Sequence, residues 1–385
     1  MKQIPGGVTA PKGFRAWGVH CGVKSKKADK KDLALILSDQ ECAAAAVYTM
    51  NRVKAAPLYV TMEHLEDGTA WGVAANSGNA NACCPMSHEY AEEMARLAAR
   101  ATGRAPADFV VASTGVIGQT LNIAAIRAGM PAAAAGLTAG PEGSDAAARA
   151  IMTTDTVKKE LALACSIGGR TVTLGAIAKG SGMIHPNMGT MLCFVTTDCA
   201  ITREMLSEAL REVVPRTFNR VTVDGDTSTN DMCVVLANGM AGNPLIEWKD
   251  DGYTVFLKAL RQLCQELARA IAGDGEGASR LITCAVREAR SEESAERLAK
   301  AVVGSPLVKA AMFGADTNWG RVLCAMGYSK APFRPEYVDI SFSSAVGAVA
   351  VCRGGMGLDF DEEAARSILS QDEVVIDVHL HEGEH

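Results

Sequence analysis

The stretch Lys179-Gly-Ser-Gly-Met-Ile-His-Pro-Asn-Met-Gly189 leads directly into Thr190, and an apolar, β-branched run, Met191 to Thr197, follows. Such a run reads as a buried strand, so Thr190 stands where a glycine-rich loop enters a sheet. Glycine immediately before a hydroxyl residue lets the backbone take strained conformations closed to other residues. An N-to-O acyl shift at the Gly189 carbonyl needs that freedom. Scission of the Gly189–Thr190 bond frees an α-amine with an ordinary pKa of roughly 7.7–8.0, suited to take the proton of its own hydroxyl. Nucleophile and base then belong to one residue, as in N-terminal threonine enzymes. Periodicity alone also accommodates a threonine that merely opens a strand after a plain loop. His185 lies five residues upstream, but the N-terminal amine makes it redundant as a base.

Outward from this junction, Gly168-Gly169 between two β-branched runs predicts a hairpin whose second arm, Thr171 to Ile177, feeds the loop. Further upstream, Leu33 to Leu37 and Ala44 to Tyr48 read as short strands, and Ser87 as the N-cap of a helix that stops at Gly103. Asp108 to Ala112 reads as a strand ending in the polar turn Ser113-Thr114-Gly115. The alanine-rich span Ile123 to Ile151 is helical in propensity, divided by Pro131, Gly136, Gly140 and Pro141. Downstream, Leu260, Leu263, Leu267 and Ile271 recur at helical spacing up to Gly273. A further helix runs from Ser291 to Gly304, and Val338 to Val351 is strand material. Helices and strands mixed without strict βαβ alternation predict an α/β or α+β two-layer fold. At 385 residues this means two domains or one large one.

Composition narrows the function. The net charge of −6 arises from interspersed signs, which argues against a nucleic-acid groove or a membrane-surface helix and favours a small-molecule substrate. The N-terminal region, broken by Pro5, Gly6, Gly7 and Pro11, does not read as a signal peptide, and no apolar stretch is long enough to span a bilayer. The 12 cysteines include no C-x-x-C pair and read as reduced, buried small hydrophobes of a cytoplasmic protein. Asp224-Gly-Asp-Thr-Ser-Thr-Asn-Asp231 mimics a calcium loop, but Thr229 stands where that loop needs glycine, so no metal is expected. Glycines 273, 275 and 277 invite a phosphate-cradling reading, yet they follow a helix instead of opening one. His379, His381 and His385 cluster at the tail and read as a solvated end.

The run from Lys179 to Thr190 resembles the autocleavage motif of the ornithine acetyltransferase family, the bifunctional glutamate and ornithine acetyltransferases of arginine biosynthesis. Six further stretches resemble that family's blocks in the same order: Asn76–Asn81, Ser113–Gly118, Met152–Asp155, Asp224–Asp231, Asp274–Ala278 and Phe313–Arg321. The resemblance implies an N-terminal-nucleophile-like α/β fold, self-cleaved into an α chain, 1–189, and a β chain, 190–385. It implies Thr190 as nucleophile, with the Thr114 hydroxyl and the Gly115 N–H as oxyanion hole, a role suited to donors aimed at developing charge. Lys179 would contact substrate, Glu276 would hold the ornithine ammonium, and Thr153 or Thr154 would be the substrate threonine. No cofactor is implied, although acetyl-CoA serves some members as a donor. The expected partners are N2-acetylornithine, glutamate and a second protomer, giving two α and two β chains.

The family commonly has alanine where this chain has Gly189, a small-for-small change that should preserve scission. The family also continues past a strand like Val374 to Leu380 into a segment whose asparagine and terminal threonine or serine bind substrate. The sequence here ends at His385, so either it is truncated relative to the family or this member has lost those contacts, and no residue of it can be assigned those roles. Two other functions remain open: an N-terminal-nucleophile aminopeptidase or amidase, in which water resolves the acyl-enzyme, and a non-catalytic nucleotide- or anion-binding protein.

Overall fold

The computed structural model describes residues 1–23, 30–185 and 191–385. They form two compact units, Met1–Val221 with Asp226–Glu276, and Thr222–Gly225 with Gly277–His385. The mixed α and β class is observed in each.

The strands of the first unit are β1 (Lys2–Ile4), β2 (Phe14–Val19), β3 (Leu33–Tyr48), β4 (Thr69–Asn79), β5 (Phe109–Val116), β6 (Lys159–Ile167), β7 (Arg170–Lys179), β8 (Leu192–Thr197) and β9 (Met232–Ala237). Their order is β1-β6-β7-β8-β9-β3-β4-β5, with β2 also paired to β3. The two short runs read at Leu33–Leu37 and Ala44–Tyr48 are one strand. Its register shifts between Leu37 and Cys42, where Asp39, Gln40 and Glu41 are exposed. Polar residues at a bulge interrupt the hydrophobic pattern without ending the strand. The hairpin at Gly168-Gly169 is present, both glycines having positive φ (55° and 76°), as a tight two-residue turn demands.

Helices cover both faces of this sheet. Leu33, Leu35 and Val111 pack with Met94 and Ala98 of α2 (Ser87–Thr102) and Ile126 of α3 (Ile123–Ala135). Ala34, Ile36 and Val110 point the other way, into a core with Ala147 and Ile151 of α4 (Pro141–Ile151), joined there by Ile177, Phe194 and Val234. Each fully buried leucine or phenylalanine contributes roughly 1.5–3 kcal/mol over an exposed one. Ser87 is the first residue of α2 and not its cap: Met86 holds the cap position in a left-handed conformation, and the Ser87 hydroxyl donates backwards to the Cys84 carbonyl. Pro131 lies inside α3, so the alanine-rich span breaks only between Gly136 and Gly140. α5 (Arg203–Val213) and α6 (Asp251–Gly273) follow, the latter opened by the Asp250 carboxylate, which accepts from the Tyr253 N–H at 2.7 Å.

The second unit is a five-stranded sheet, order β10-β14-β11-β12-β13, built from β10 (Leu281–Arg287), β11 (Asp339–Ser344), β12 (Gly347–Arg353), β13 (Met356–Gly357) and β14 (Glu373–His379). Its core joins Ile340, Phe342 and Ile376 to Leu298 of α7 (Glu292–Gly304) and Met312 of α8 (Pro306–Phe313). α7 begins after Ser291, whose hydroxyl accepts from the Ser294 N–H, and ends at Gly304, the stop read from the sequence.

All 12 cysteines are free, and most are buried or half-buried, but Cys83 and Cys324 are exposed. Among the described residues no helix is long and apolar enough to cross a membrane. The junction between residues 189 and 190 falls between β7 and β8, within the first unit, so the expected chains 1–189 and 190–385 do not follow the boundary between the compact units.

Candidate functional site

β5 extends through the predicted turn: Ser113, Thr114 and Gly115 remain paired with Asn76, Ser77 and Gly78 of β4. The pairing requires glycine at 115, because φ is +134° and a Cβ there would lie 2.4 Å from the Gly78 carbonyl carbon. Buried amides hold this strand end. The Ser113 hydroxyl donates to Asn76 Oδ1 at 2.6 Å, and Asn230 Nδ2 donates to the carbonyls of Ala80 (2.6 Å) and Ser113 (2.8 Å). Asn230 is 6% exposed, so those bonds are shielded from competing water.

A second set of groups ties the loop after α4 to the loop after α6. Lys159 Nζ lies 2.8 Å from Asp155 Oδ1 and 2.6 Å from Asp274 Oδ2, with all three side chains 6% exposed or less. Asp155 also accepts from the N–H groups of Thr153 and Gly180, and Asp274 from the N–H and hydroxyl of Thr156. Burial opposes ionisation of both carboxyl groups. For Asp155 the charges of Lys179 and Lys159 outweigh it, and for Asp274 the bonds from Lys159 and Thr156 do, so each is held below the ordinary aspartate value. The clamp fixes Thr153 and Thr154 on one side and the Gly-Glu-Gly turn on the other. There the Glu276 N–H donates to the Ser181 carbonyl at 3.1 Å. A Cβ built on Gly182 would lie 2.2 Å from Glu276 Oε2 and 3.8 Å from Thr154 Oγ1, so the carboxylate rests directly on the bare Gly182.

Between these two assemblies is a cavity of about 320 Å³. Thr114, Gly115, Thr153, Thr154, Lys179 and Glu276, singled out in the sequence from separate stretches, all line it. Gly189 and Thr190 lie outside the described residues, while Met191 and Leu192, which follow Thr190, line the cavity too. Lys179 is 7% exposed, against the solvated loop position usual for a lysine. Sequence reasoning assigned no part to Asp155, Lys159, Asn230, Asp231 or Asp274. Asp155, Asn230, Asp231 and Asp274 stand inside family-like blocks, which was the available signal, whereas Lys159 in Val157-Lys-Lys-Glu160 reads as surface charge. Among the described residues no group of three or more His, Cys, Asp or Glu is arranged to hold a metal ion.

The family model described as the ArgJ family matches residues 15–385. The chain belongs to the ArgJ family. The arginine biosynthesis bifunctional protein ArgJ of Symbiobacterium thermophilum is 54% identical over 385 residues, covering all of this chain and 94% of that protein. ArgJ 1 of Clostridium acetobutylicum is 47% identical over 371 residues, 96% of this chain and 90% of its own length. Among solved structures, the ornithine acetyltransferase of Mycobacterium tuberculosis complexed with ornithine is 36% identical. It matches with a TM-score of 0.44 over 48% of this chain and 98% of that one. The expectation drawn from the ordered blocks is thereby borne out at the level of family and enzyme class: this ArgJ-family chain is an acetyltransferase of arginine biosynthesis.

Proposed function

We propose that the chain cuts itself between Gly189 and Thr190 and then moves an acetyl group from N2-acetylornithine to glutamate by a ping-pong route through an acetyl-Thr190 ester. The observation that carries this reading is the convergence on one cavity of Thr114, Gly115, Lys179 and Glu276 with Met191 and Leu192, the residues that follow the nucleophile.

In this reading the α-amine of Thr190 takes the proton of its hydroxyl, and the oxygen attacks the acetyl carbon. The Thr114 hydroxyl and the Gly115 N–H donate to the tetrahedral oxyanion. Thr114 is 8% exposed, and a donor in a drier site acts more strongly on developing charge. Glu276 receives the ornithine ammonium, Lys179 pairs with a substrate carboxylate, and Thr153 or Thr154 donates alongside. Ornithine leaves, glutamate enters, and its amine attacks the ester to give N-acetylglutamate. Acetyl-CoA, a donor for some members of the family, is the candidate second donor to the same Thr190 ester. The α and β chains of two protomers form a cytoplasmic heterotetramer.

Intact-mass measurement of the purified chain, followed by incubation with acetylornithine with and without glutamate, tests the reading. Two fragments meeting at 189/190, an acetyl adduct on the second, and ornithine release that depends on glutamate are expected. Thr190→Ala should abolish both scission and transfer. Ornithine release unaffected by glutamate would instead indicate the hydrolase, and an intact chain without an adduct the binding protein. Replacing acetylornithine with acetyl-CoA in the same assay decides the second donor.

A further inference from the structure

The roles above leave the self-scission step without an acid or base, because the α-amine that serves transfer does not exist until the Gly189–Thr190 bond is cut. Three titratable side chains line the cavity among the described residues: Lys179, Glu276 and Asp231. Glu276 is exposed and rests on Gly182.

Asp231 is placed differently. It immediately precedes β9, whose first residue, Met232, donates its N–H to the Met191 carbonyl at 3.0 Å, so the starts of β8 and β9 are locked together. Its own carbonyl accepts from the Thr49 N–H at 3.0 Å, which fixes the backbone from the other side. The side chain is buried, 2% of the residue being exposed, and its carboxyl group lies within hydrogen-bonding reach of the Ser228 and Thr49 side chains and of the Met191 backbone N–H. That N–H belongs to the peptide joining residue 190 to Met191, one residue from the bond to be cut. Oδ2 has no hydrogen-bond partner among the described residues, an expensive state for a buried carboxylate oxygen unless a proton or a reacting group meets it.

Electrostatics agree with this geometry. Burial pushes the Asp231 carboxyl well above the ordinary aspartate value, with the Lys179 charge opposing it. Asp155, which feels the same Lys179 charge, is held below that value. Two carboxyl groups around one lysine are driven apart in acidity, which separates a proton-holding acid from a fixed anion.

We propose that Asp231 relays the proton of the self-scission step. This rests on the self-cleavage reading above. Thr190 Oγ adds to the Gly189 carbonyl carbon and gives its proton to one oxygen of the Asp231 carboxyl, while the proton on the other oxygen passes to the Thr190 nitrogen. The Gly189–Thr190 C–N bond breaks, leaving Gly189 esterified to Thr190 Oγ and a free α-amine. Asp231 ends in the neutral form in which it began. Water then hydrolyses the ester, restoring the Thr190 hydroxyl and releasing the Gly189 carboxyl group with its proton.

The test follows scission by intact mass from the moment of cell-free synthesis, for the wild-type chain, Asp231→Asn and Asp231→Glu, with folding monitored by circular dichroism and thermal unfolding. Asp231→Asn should slow scission by roughly 10²–10⁴-fold, the range for removing a general acid–base group, and hydroxylamine should not speed its cleavage because no ester accumulates. Asp231→Glu keeps the acid but displaces it by one methylene, and should cut at a rate between the two. A folded Asp231→Asn chain that cuts at the wild-type rate overturns the proposal. Should the asparagine variant fail to fold, the glutamate variant decides: slowing by about tenfold or more supports the relay, and an unchanged rate overturns it. A wild-type chain that never cuts overturns the self-cleavage reading itself, a result distinguishable from either variant outcome.

Discussion

Replacing Lys159 by methionine keeps an unbranched side chain, one atom shorter, and removes the cation between Asp155 and Asp274. The ammonium makes contacts of 2.8 and 2.6 Å with two nearly inaccessible carboxylates. Removing one partner from a buried ion pair costs about 3–5 kcal/mol, because the charge left behind is uncompensated. Here the low end of that range applies. Asp155 retains two backbone donors and the Lys179 charge, and Asp274 retains Thr156. A loss of about 3 kcal/mol lowers the thermal midpoint by roughly 6–12 °C at about 2–4 °C per kcal/mol. The pH dependence follows from sign. In the wild type both carboxyl groups are held below the ordinary value, so their stabilisation is present above it and is lost only as pH falls through the lower folded value. In the variant burial acts with less opposition and raises them. The penalty is then complete at neutral pH and relieved as pH falls toward about 4. The stability gap, measured by denaturant unfolding at several pH values, should therefore narrow from pH 7 downward. The KM for acetylornithine should rise about tenfold with a smaller change in kcat, since the clamp holds binding groups and not the nucleophile. A gap below about 1 kcal/mol, or one unchanged between neutral and mildly acidic pH, would mean that Lys159 does not hold the two buried carboxylates in their charged form.

Thr114→Ala should lower kcat by roughly 10²–10³-fold if its hydroxyl is an oxyanion donor, and steady-state kinetics with unchanged thermal stability would show it. Gly182→Ala puts a methyl group against Glu276 Oε2. The carboxylate must swing away, so KM for acetylornithine should rise more than kcat falls, and an unaltered KM would remove Glu276 from ammonium binding. Fragments 1–189 and 190–385 should co-elute in native size-exclusion chromatography and part only in denaturant. β8 and β9 of the second lie between β7 and β3 of the first, so separation requires rupture of both ladders. Fragments that part without denaturant would contradict that interleaving.

Local chemistry made several elements legible. The apolar spacing of Leu260, Leu263, Leu267 and Ile271 is the buried face of α6, and Gly168-Gly169 is a turn because only glycine takes positive φ there without cost. Where the readings at 33–48 and 113–115 differ from the structure, a long-range partner prevailed. β3 continues through its polar bulge because β4 pairs with it on both sides of the interruption and β9 pairs with Ala43 to Tyr48 beyond it. Ser113 to Gly115 stay extended because β4 lies beside them. Ser87 turns back to Cys84 instead of capping a helix N–H.

The family was legible in the chain alone, through ordered blocks from Asn76 to Arg321, and so were Thr114, Gly115, Thr153, Thr154, Lys179 and Glu276, which the fold brings to one cavity, but not Asn230 or Asp231 beside them. They were legible because the resemblance is carried by contiguous motifs, which the chain displays without its fold. Tertiary structure alone decided which charges lose their water. Lys159 and Asp274 are 115 residues apart, and nothing in the neighbours of either announces a buried pair. Asp231 looked like the end of a polar loop until β8 and β9 closed over it. Burial and acidity are properties of what the folded chain brings around a group, set by contacts between distant segments that no local pattern encodes.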